Sequence, residues 1–161
     1  GLKTIFLYLM EQKPGSVKYT NEVTINLPLK KVLDLFDSEE NMFKWQPELV
    51  SFEHVSGEKG EVGSKSNLCY KMGKREVEML ETITRKNLPE EFDFTYEAKG
   101  VWNEMKNSFI EMGPSETKWI SHSEFRFNGF MKLIGFIMPG SFKKQSQLAL
   151  DRFKVFAESQ K

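Results

Sequence analysis

The sequence predicts an α+β domain: a curved antiparallel sheet of about seven strands wrapped on a long C-terminal helix, with two short helices after the first strand. Residues 142–157 carry Phe142, Ser146, Ala149, Phe153 and Phe156 at spacings of four and three, the period of one helix face, with Lys144, Gln147, Asp151, Lys154 and Glu158 opposite. Residues 49–127 alternate apolar and polar positions in short runs joined by tight turns, which implies neighbouring antiparallel strands. A one-sided helix and a one-faced sheet both need a cover, so each covers the other.

Taken in order, residues 16–26 alternate Val17, Tyr19, Val23 and Ile25 against Lys18, Thr20, Glu22 and Thr24, the pattern of a half-buried strand that Asn21 interrupts. Pro28 suits the first turn of a helix, and Val32, Leu33, Leu35 and Phe36 follow with helical spacing. A second short helix is expected over 38–44, capped by Ser38, with Met42, Phe43 and Trp45 inward, and it stops at Trp45-Gln46-Pro47. Strands are then expected over 50–56, 64–72, 75–85, 92–97, 101–112 and 117–127. Gly57, Gly60, Gly63, Gly73, Pro89, Gly100 and Gly113-Pro114 punctuate them. Pro139-Gly140 is expected to break or kink the chain, with Ser141 capping the long helix.

A chain of 161 residues is one domain by size and buries about two-thirds of its unfolded surface. Lys plus Arg and Asp plus Glu are both 23, so no basic excess exists to hold a phosphate backbone, and nucleic acid is not an expected partner. Fourteen Phe and three Trp point to an aromatic interior or pocket. A single cysteine, Cys69, cannot form an internal disulfide and fits a cytoplasmic location. The apolar run 5–10 is too short to span a bilayer and lacks a small-residue cleavage site, so it is read as part of an N-terminal extension, residues 1–15. Residues 129–138, with Lys132 their one polar side chain, are expected to begin the last helix or to close a pocket mouth. Exposure of Phe130, Ile134 and Phe136 would instead suggest transient membrane contact.

The order of elements is joined by local matches: Leu27-Pro28-Leu29-Lys30-Lys31-Val32 opening the first helix, the Trp45-Gln46-Pro47 corner, the Gly60 to Gly63 turn, and the ending from Leu150 to Glu158. Over roughly residues 16–159 the chain resembles the helix-grip fold of the START-like or SRPBCC superfamily, which includes the polyketide cyclase and dehydrase group, lipid-transfer START domains and the birch-pollen allergen. The matching motifs are structural and none is catalytic. The resemblance implies a ligand-binding domain over 16–161 with a cavity between sheet and C-terminal helix, and loops near that helix that cover it.

Strand parity separates two faces. Lys118, His122, Glu124, Arg126, Glu104, Lys106, Asp93, Thr95 and Glu97 form a solvated convex surface. Val77, Met79, Ile83, Phe92, Phe94, Tyr96, Val101, Met105, Phe109, Trp119, Phe125 and Phe127 face the helix, and among them stand the polar residues Asn21, Glu81, Asn107, Ser121 and Ser123. A buried polar group without a partner costs about 1 to 3 kcal/mol, so these pair with one another, meet water or ligand, or are turned outward by a bulge that shifts the register. Apolar walls with a few convergent polar groups are the usual form of a small-molecule site. The expected lining is therefore Tyr19, Asn21, Met79, Glu81, Phe94, Tyr96, Met105, Asn107, Phe109, Trp119 and Ser121 from the sheet, with Phe142, Ser146, Ala149 and Phe153 from the helix.

Among Met79, Phe94 and Met105 a carboxyl at Glu81 would be desolvated and would serve as the chain's general acid or base. His54, on the face of Val50 and Phe52, is the other catalytic candidate, whereas His122 and Cys69 share parity with charged neighbours and point away. Two scattered histidines and one cysteine lack the convergence of a metal site, and neither a nucleophile elbow nor a phosphate or dinucleotide loop is present, so no metal or cofactor is expected. The function this predicts is binding or transport of a hydrophobic small molecule, such as a lipid, isoprenoid or aromatic metabolite. The resemblance also admits a polyketide cyclase or dehydratase-like enzyme and a chaperone-activator-like module that binds a partner protein.

Overall fold

The computed structural model of the protein describes residues 2, 16–129 and 139–160. The elements run β1 (Ser16–Ile25), α1 (Leu29–Phe36), α2 (Glu39–Trp45), β2 (Leu49–Ser56), β3 (Lys65–Met72), β4 (Arg75–Asn87), β5 (Glu91–Ala98), β6 (Val101–Gly113), β7 (Glu116–Phe127) and α3 (Pro139–Glu158). The strands form a single sheet in the order β1-β7-β6-β5-β4-β3-β2, each pair antiparallel. Short turns place β2 to β7 side by side in sequence order. β1 breaks that order by pairing with β7, and the α1–α2 segment carries the chain from one edge of the sheet to the other.

The two short helices start as their sequences require. Pro28 precedes α1, and its carbonyl accepts the Val32 N–H at 3.1 Å. Ser38 caps α2 by accepting the Asn41 N–H on its hydroxyl at 3.2 Å, with Glu39 and Glu40 in the first turn and Lys44 in the last, the signs that favour a helix dipole. Both helices deliver an aromatic ring to the interior. Phe36 meets Trp45, Phe92, Phe109, Trp119 and Phe153 with ring centroids 5.0 to 6.3 Å apart, so this one residue joins α1 and α2 to the sheet and to α3.

The core lies at one end of the sheet. Val23, Ile25, Leu27, Val32, Trp45, Phe109 and Trp119 enclose Leu150, Phe153 and Ala157 of α3. The flank of α3 is tied to the edge strand β1: Gln147 accepts from Asn21 and donates to the Glu22 carbonyl, Lys154 donates to the Thr24 carbonyl, and Glu158 accepts the Asn26 N–H. Gln147, Lys154 and Glu158, assigned by period to the solvent face, therefore serve as the seam between helix and strand. Their long side chains reach back from the edge of the stripe.

Several other expectations are corrected. Asp93 is on the convex side but only 5% exposed, because Lys106 and Arg85 flank it in register and its carboxylate accepts the Asn107 N–H. Phe43 is 40% exposed, since adjacent helix positions differ by about 100° and Met42 and Trp45 occupy the inward side. An irregularity between Leu49 and Ser51 leaves Val50 out of register and exposed. Pro139 and Gly140 are the first described residues of α3 and the chain before them lies outside the described residues, whereas Ser141 lies within the helix and is exposed. A further bulge between Ile83 and Arg85 turns Lys86 to the side of Phe92, where its ammonium lies 5.2 Å from the ring centroid and bonds Asp37 at 3.0 Å and the Gly60 carbonyl at 2.7 Å.

Candidate functional site

The strand register assembles a row across the concave face. His54, Ser66, Glu81, Tyr96, Asn103, Phe125 and Val17 are successive cross-strand partners from β2 to β1. Directly opposed residues share a face, so Glu81 lies between Ser66 and Tyr96, and it is 5% exposed. Beside it, Phe92, Phe94 and Tyr96 stack along β5 with centroids 4.6 and 6.2 Å apart. On the other side Tyr70 donates its hydroxyl to Gln46 at the α2–β2 corner, at 2.6 Å.

The electrostatics of this group follow from burial. Desolvation pushes the Glu81 carboxyl up to about 7, a hydrogen bond with Tyr96 draws it partly back, and the charge of Glu39 on α2 adds to the rise. The Tyr96 and Tyr70 phenols are both raised, first by burial and then by the Glu81 charge. Glu39 and Glu48 border the cluster, but each is already paired, with Lys59 at 2.8 Å and Arg152 at 2.6 Å. Glu81 has no such cation among the described residues. The arrangement can hold or transfer a proton near neutral pH beside the apolar side chains of Met79, Phe94 and Met105.

A second polar belt lies nearer to α3. Asn21, Ser121 and Asn107 are successive partners across β1, β7 and β6, all 2% exposed or less. Asn107 is fully used: it accepts from Trp119 Nε1 and donates to the Phe92 carbonyl, each at 2.9 Å. Asn21 donates to Gln147 and to the Lys143 carbonyl, but its Oδ1 has no hydrogen-bond partner among the described residues, nor has the Ser121 hydroxyl beside it. Tyr19 and Ser146 close the same side with a hydroxyl pair at 2.6 Å, and Tyr19 stacks on Phe125 at 6.2 Å.

The predicted lining thus divides. Phe109, Trp119 and Phe153 pack on one another and on Phe36 and Trp45 and fill one end of the concave face. Met79, Tyr96, Met105, Phe125, Phe142 and Ser146 are half-buried and line the other end, together with Glu81 and Phe94, whereas Ala149 is half-buried against the filled end. His54 stands two strands from Glu81 in the same row and is exposed. His122 is exposed and pairs with Thr20 at 2.7 Å. Two open recesses, of about 470 and 380 Å3, belong to the convex side and touch little of the row: one follows Glu53, Cys69, Glu78 and Glu97, the other Lys18, Lys106, His122 and Glu124. Among the described residues no group of three or more His, Cys, Asp or Glu is placed to hold a metal, and no helix is long and apolar enough to cross a membrane. Phe130, Ile134 and Phe136 lie outside the described residues, as does all of 1–15 except Leu2.

Sequence reasoning missed Ser66, Tyr70 and Asn103. Ser66 and Tyr70 were visible as the even-numbered positions of the 64–72 run, with Leu68 between them, and Asn103 shares the parity of Met105 and Asn107. The contact of Tyr70 with Gln46 had no signal, because the α2–β2 corner meets β3 only in the folded sheet.

No protein-family model matches the sequence, and no curated protein matches it. Solved structures do. Ara h 8.0201 superposes with a TM-score of 0.72 at 19% identity, covering 90% of this chain and 99% of its own. The aromatase/cyclase Zhui from Streptomyces sp. R1128 gives 0.71 at 11% identity, covering 89% and 94%. This chain has the helix-grip fold. Norcoclaurine synthase from Thalictrum flavum, solved in complex with dopamine and hydroxybenzaldehyde, gives 0.66 at 14% identity, covering 91% and 88%. The helix-grip arrangement accounts for the order of the sheet and for the single long helix across its concave face.

Proposed function

We propose that the chain binds a hydrophobic small molecule on the open end of the concave face, between the sheet and the N-terminal half of α3. The observation that carries this reading is Glu81: a carboxyl 5% exposed, without a cation among the described residues, on a wall of Met79, Phe94, Tyr96 and Met105 that is not completely covered. A folded chain keeps such a group at a cost of several kcal/mol, which a ligand can offset. The apolar body of the ligand lies along Tyr96, Met105 and Phe125 toward Ser146, with its polar end at Glu81. That Zhui is an aromatase/cyclase, and that norcoclaurine synthase was solved with dopamine and hydroxybenzaldehyde, supports an aromatic compound over a long-chain lipid. The test is native mass spectrometry with thermal-shift screening against aromatic and lipid libraries. Binding of an aromatic compound that Met105→Trp abolishes is the expected result, and an interior that takes up none of either library refutes the reading.

The same carboxyl favours a second reading, that the chain is an enzyme related in chemistry to the cyclases. Glu81 titrates near neutral pH and Tyr96 orients it, the pairing expected of a general acid or base. Turnover of the bound compound that is lost in Glu81→Gln while binding persists would establish it. Unchanged recovery of the compound from the wild-type protein would leave binding alone.

A further inference from the structure

Resting on the ligand-binding reading above, we propose that the ligand is a hydrophobic amine, held as its cation with the nitrogen against the Glu81 carboxylate. The charges around the site all favour it. Of the three carboxylates in the cluster, Glu39 and Glu48 have Lys59 and Arg152, and Glu81 alone lacks a counter-charge among the described residues. The groups that face it are Ser66 and Tyr70 from β3, Tyr96 from β5 and Glu39 from α2; none is positive. The ammonium of Lys86 is held by Asp37 and the Gly60 carbonyl over Phe92. Among the described residues an anionic ligand would therefore find like charge and no free cation.

An ammonium meets the opposite situation. Its charge replaces the missing partner of Glu81, and the ring of Tyr96, directly opposite Glu81 in register, offers the negative side of its quadrupole to it. The hydroxyls of Ser66 and Tyr96 stand next to Glu81 as further oxygen acceptors for its N–H groups. The proton balance is definite: the amine enters already protonated, Glu81 becomes fully ionised beside it, and the proton Glu81 held passes to solvent. No bond to carbon forms or breaks.

Three probes of one skeleton test this: 2-(2-naphthyl)ethylamine, 2-(2-naphthyl)ethanol and 2-naphthylacetate, titrated calorimetrically at pH 6, with binding located by NMR shifts. The expected order is amine, alcohol, acetate, with the amine tighter than the alcohol by about tenfold or more. Titration in buffers of different ionisation enthalpy should show proton release with the amine and none with the alcohol, a measurement that needs no variant. In Glu81→Gln the amine's advantage should fall to within about twofold, while Glu53→Gln, on the convex face, should preserve it. An advantage that survives Glu81→Gln, acetate binding as tightly as the amine, or amine binding without proton release overturns the inference. Alcohol binding that shifts Met79, Tyr96 and Met105 without any amine preference refutes the amine alone and leaves the ligand site standing. Failure of all three probes refutes the amine, and only the library screen then decides the site.

Discussion

Trp119 Nε1 donates to Asn107 Oδ1 at 2.9 Å in the middle of the face that α3 covers, and Asn107 donates in turn to the Phe92 carbonyl. The asparagine that interrupts an apolar strand is thus the partner of the indole N–H two strand positions away on β7. Asn107→Leu leaves that N–H buried and unpaired, and we expect a loss of about 1 to 3 kcal/mol in denaturant unfolding. A loss below about 0.5 kcal/mol would show that the bridge contributes nothing.

Ser121 should behave in the opposite way. Its residue is 1% exposed and its hydroxyl has no hydrogen-bond partner among the described residues, so Ser121→Ala removes an unsatisfied polar group and little volume. Its stability should change by less than about 0.5 kcal/mol or rise slightly. A loss of 1 kcal/mol or more would mean that the hydroxyl holds a bound group in solution, which high-resolution density at Asn21 Oδ1 would then reveal.

Phe153 is fully buried against Phe36, Trp45 and Trp119, whereas Val155, two residues on, is 71% exposed. Phe153→Ala should cost about 3 to 5 kcal/mol and Val155→Ala less than about 0.5, both read from chemical unfolding. Equal effects would contradict the seating of α3.

Glu81 makes stability depend on pH with a definite sign. Its carboxyl titrates near 7 in the fold against 4.5 when exposed, so the folded state holds the proton more tightly. The contribution is fully present below pH 4.5 and is lost as pH rises through 7, by up to about 3 kcal/mol. Glu81→Gln should therefore gain on the wild type steadily from pH 4.5 to 8 and hold a constant margin above that. Parallel stability curves across that range would place the Glu81 carboxyl in water.

Gly57, after β2, has φ +78°, and a Cβ there would stand 2.7 Å from the Gly63 carbonyl oxygen. Gly57→Ala meets both a disfavoured backbone and a backbone clash, and should cost about 1 to 3 kcal/mol by thermal unfolding. Gly60→Ala shares the positive φ without a close contact and should cost less.

By itself the sequence determined the sheet, the helices and the two faces. Period-two alternation in residues 75–85, 101–112 and 117–127 is a local property, and it gave Glu81, Asn107 and Ser121 the parity of the helix-facing wall, with an outward turn at a bulge as the alternative. The stripe of α3 and the Ser38 cap are equally local. The tertiary structure decided which inward positions are filled and which are open, because that depends on where α1 and α2 set Phe36 and Trp45 against Phe109, Trp119 and Phe153. It also decided how each buried polar group is satisfied: Asn107 by Trp119, Asn21 in part by Gln147, and Glu81 by Tyr96 without a cation among the described residues. Alternation follows from the chirality of one strand, but neutralising a buried charge needs groups brought from distant parts of the chain, and only the closed fold specifies which arrive.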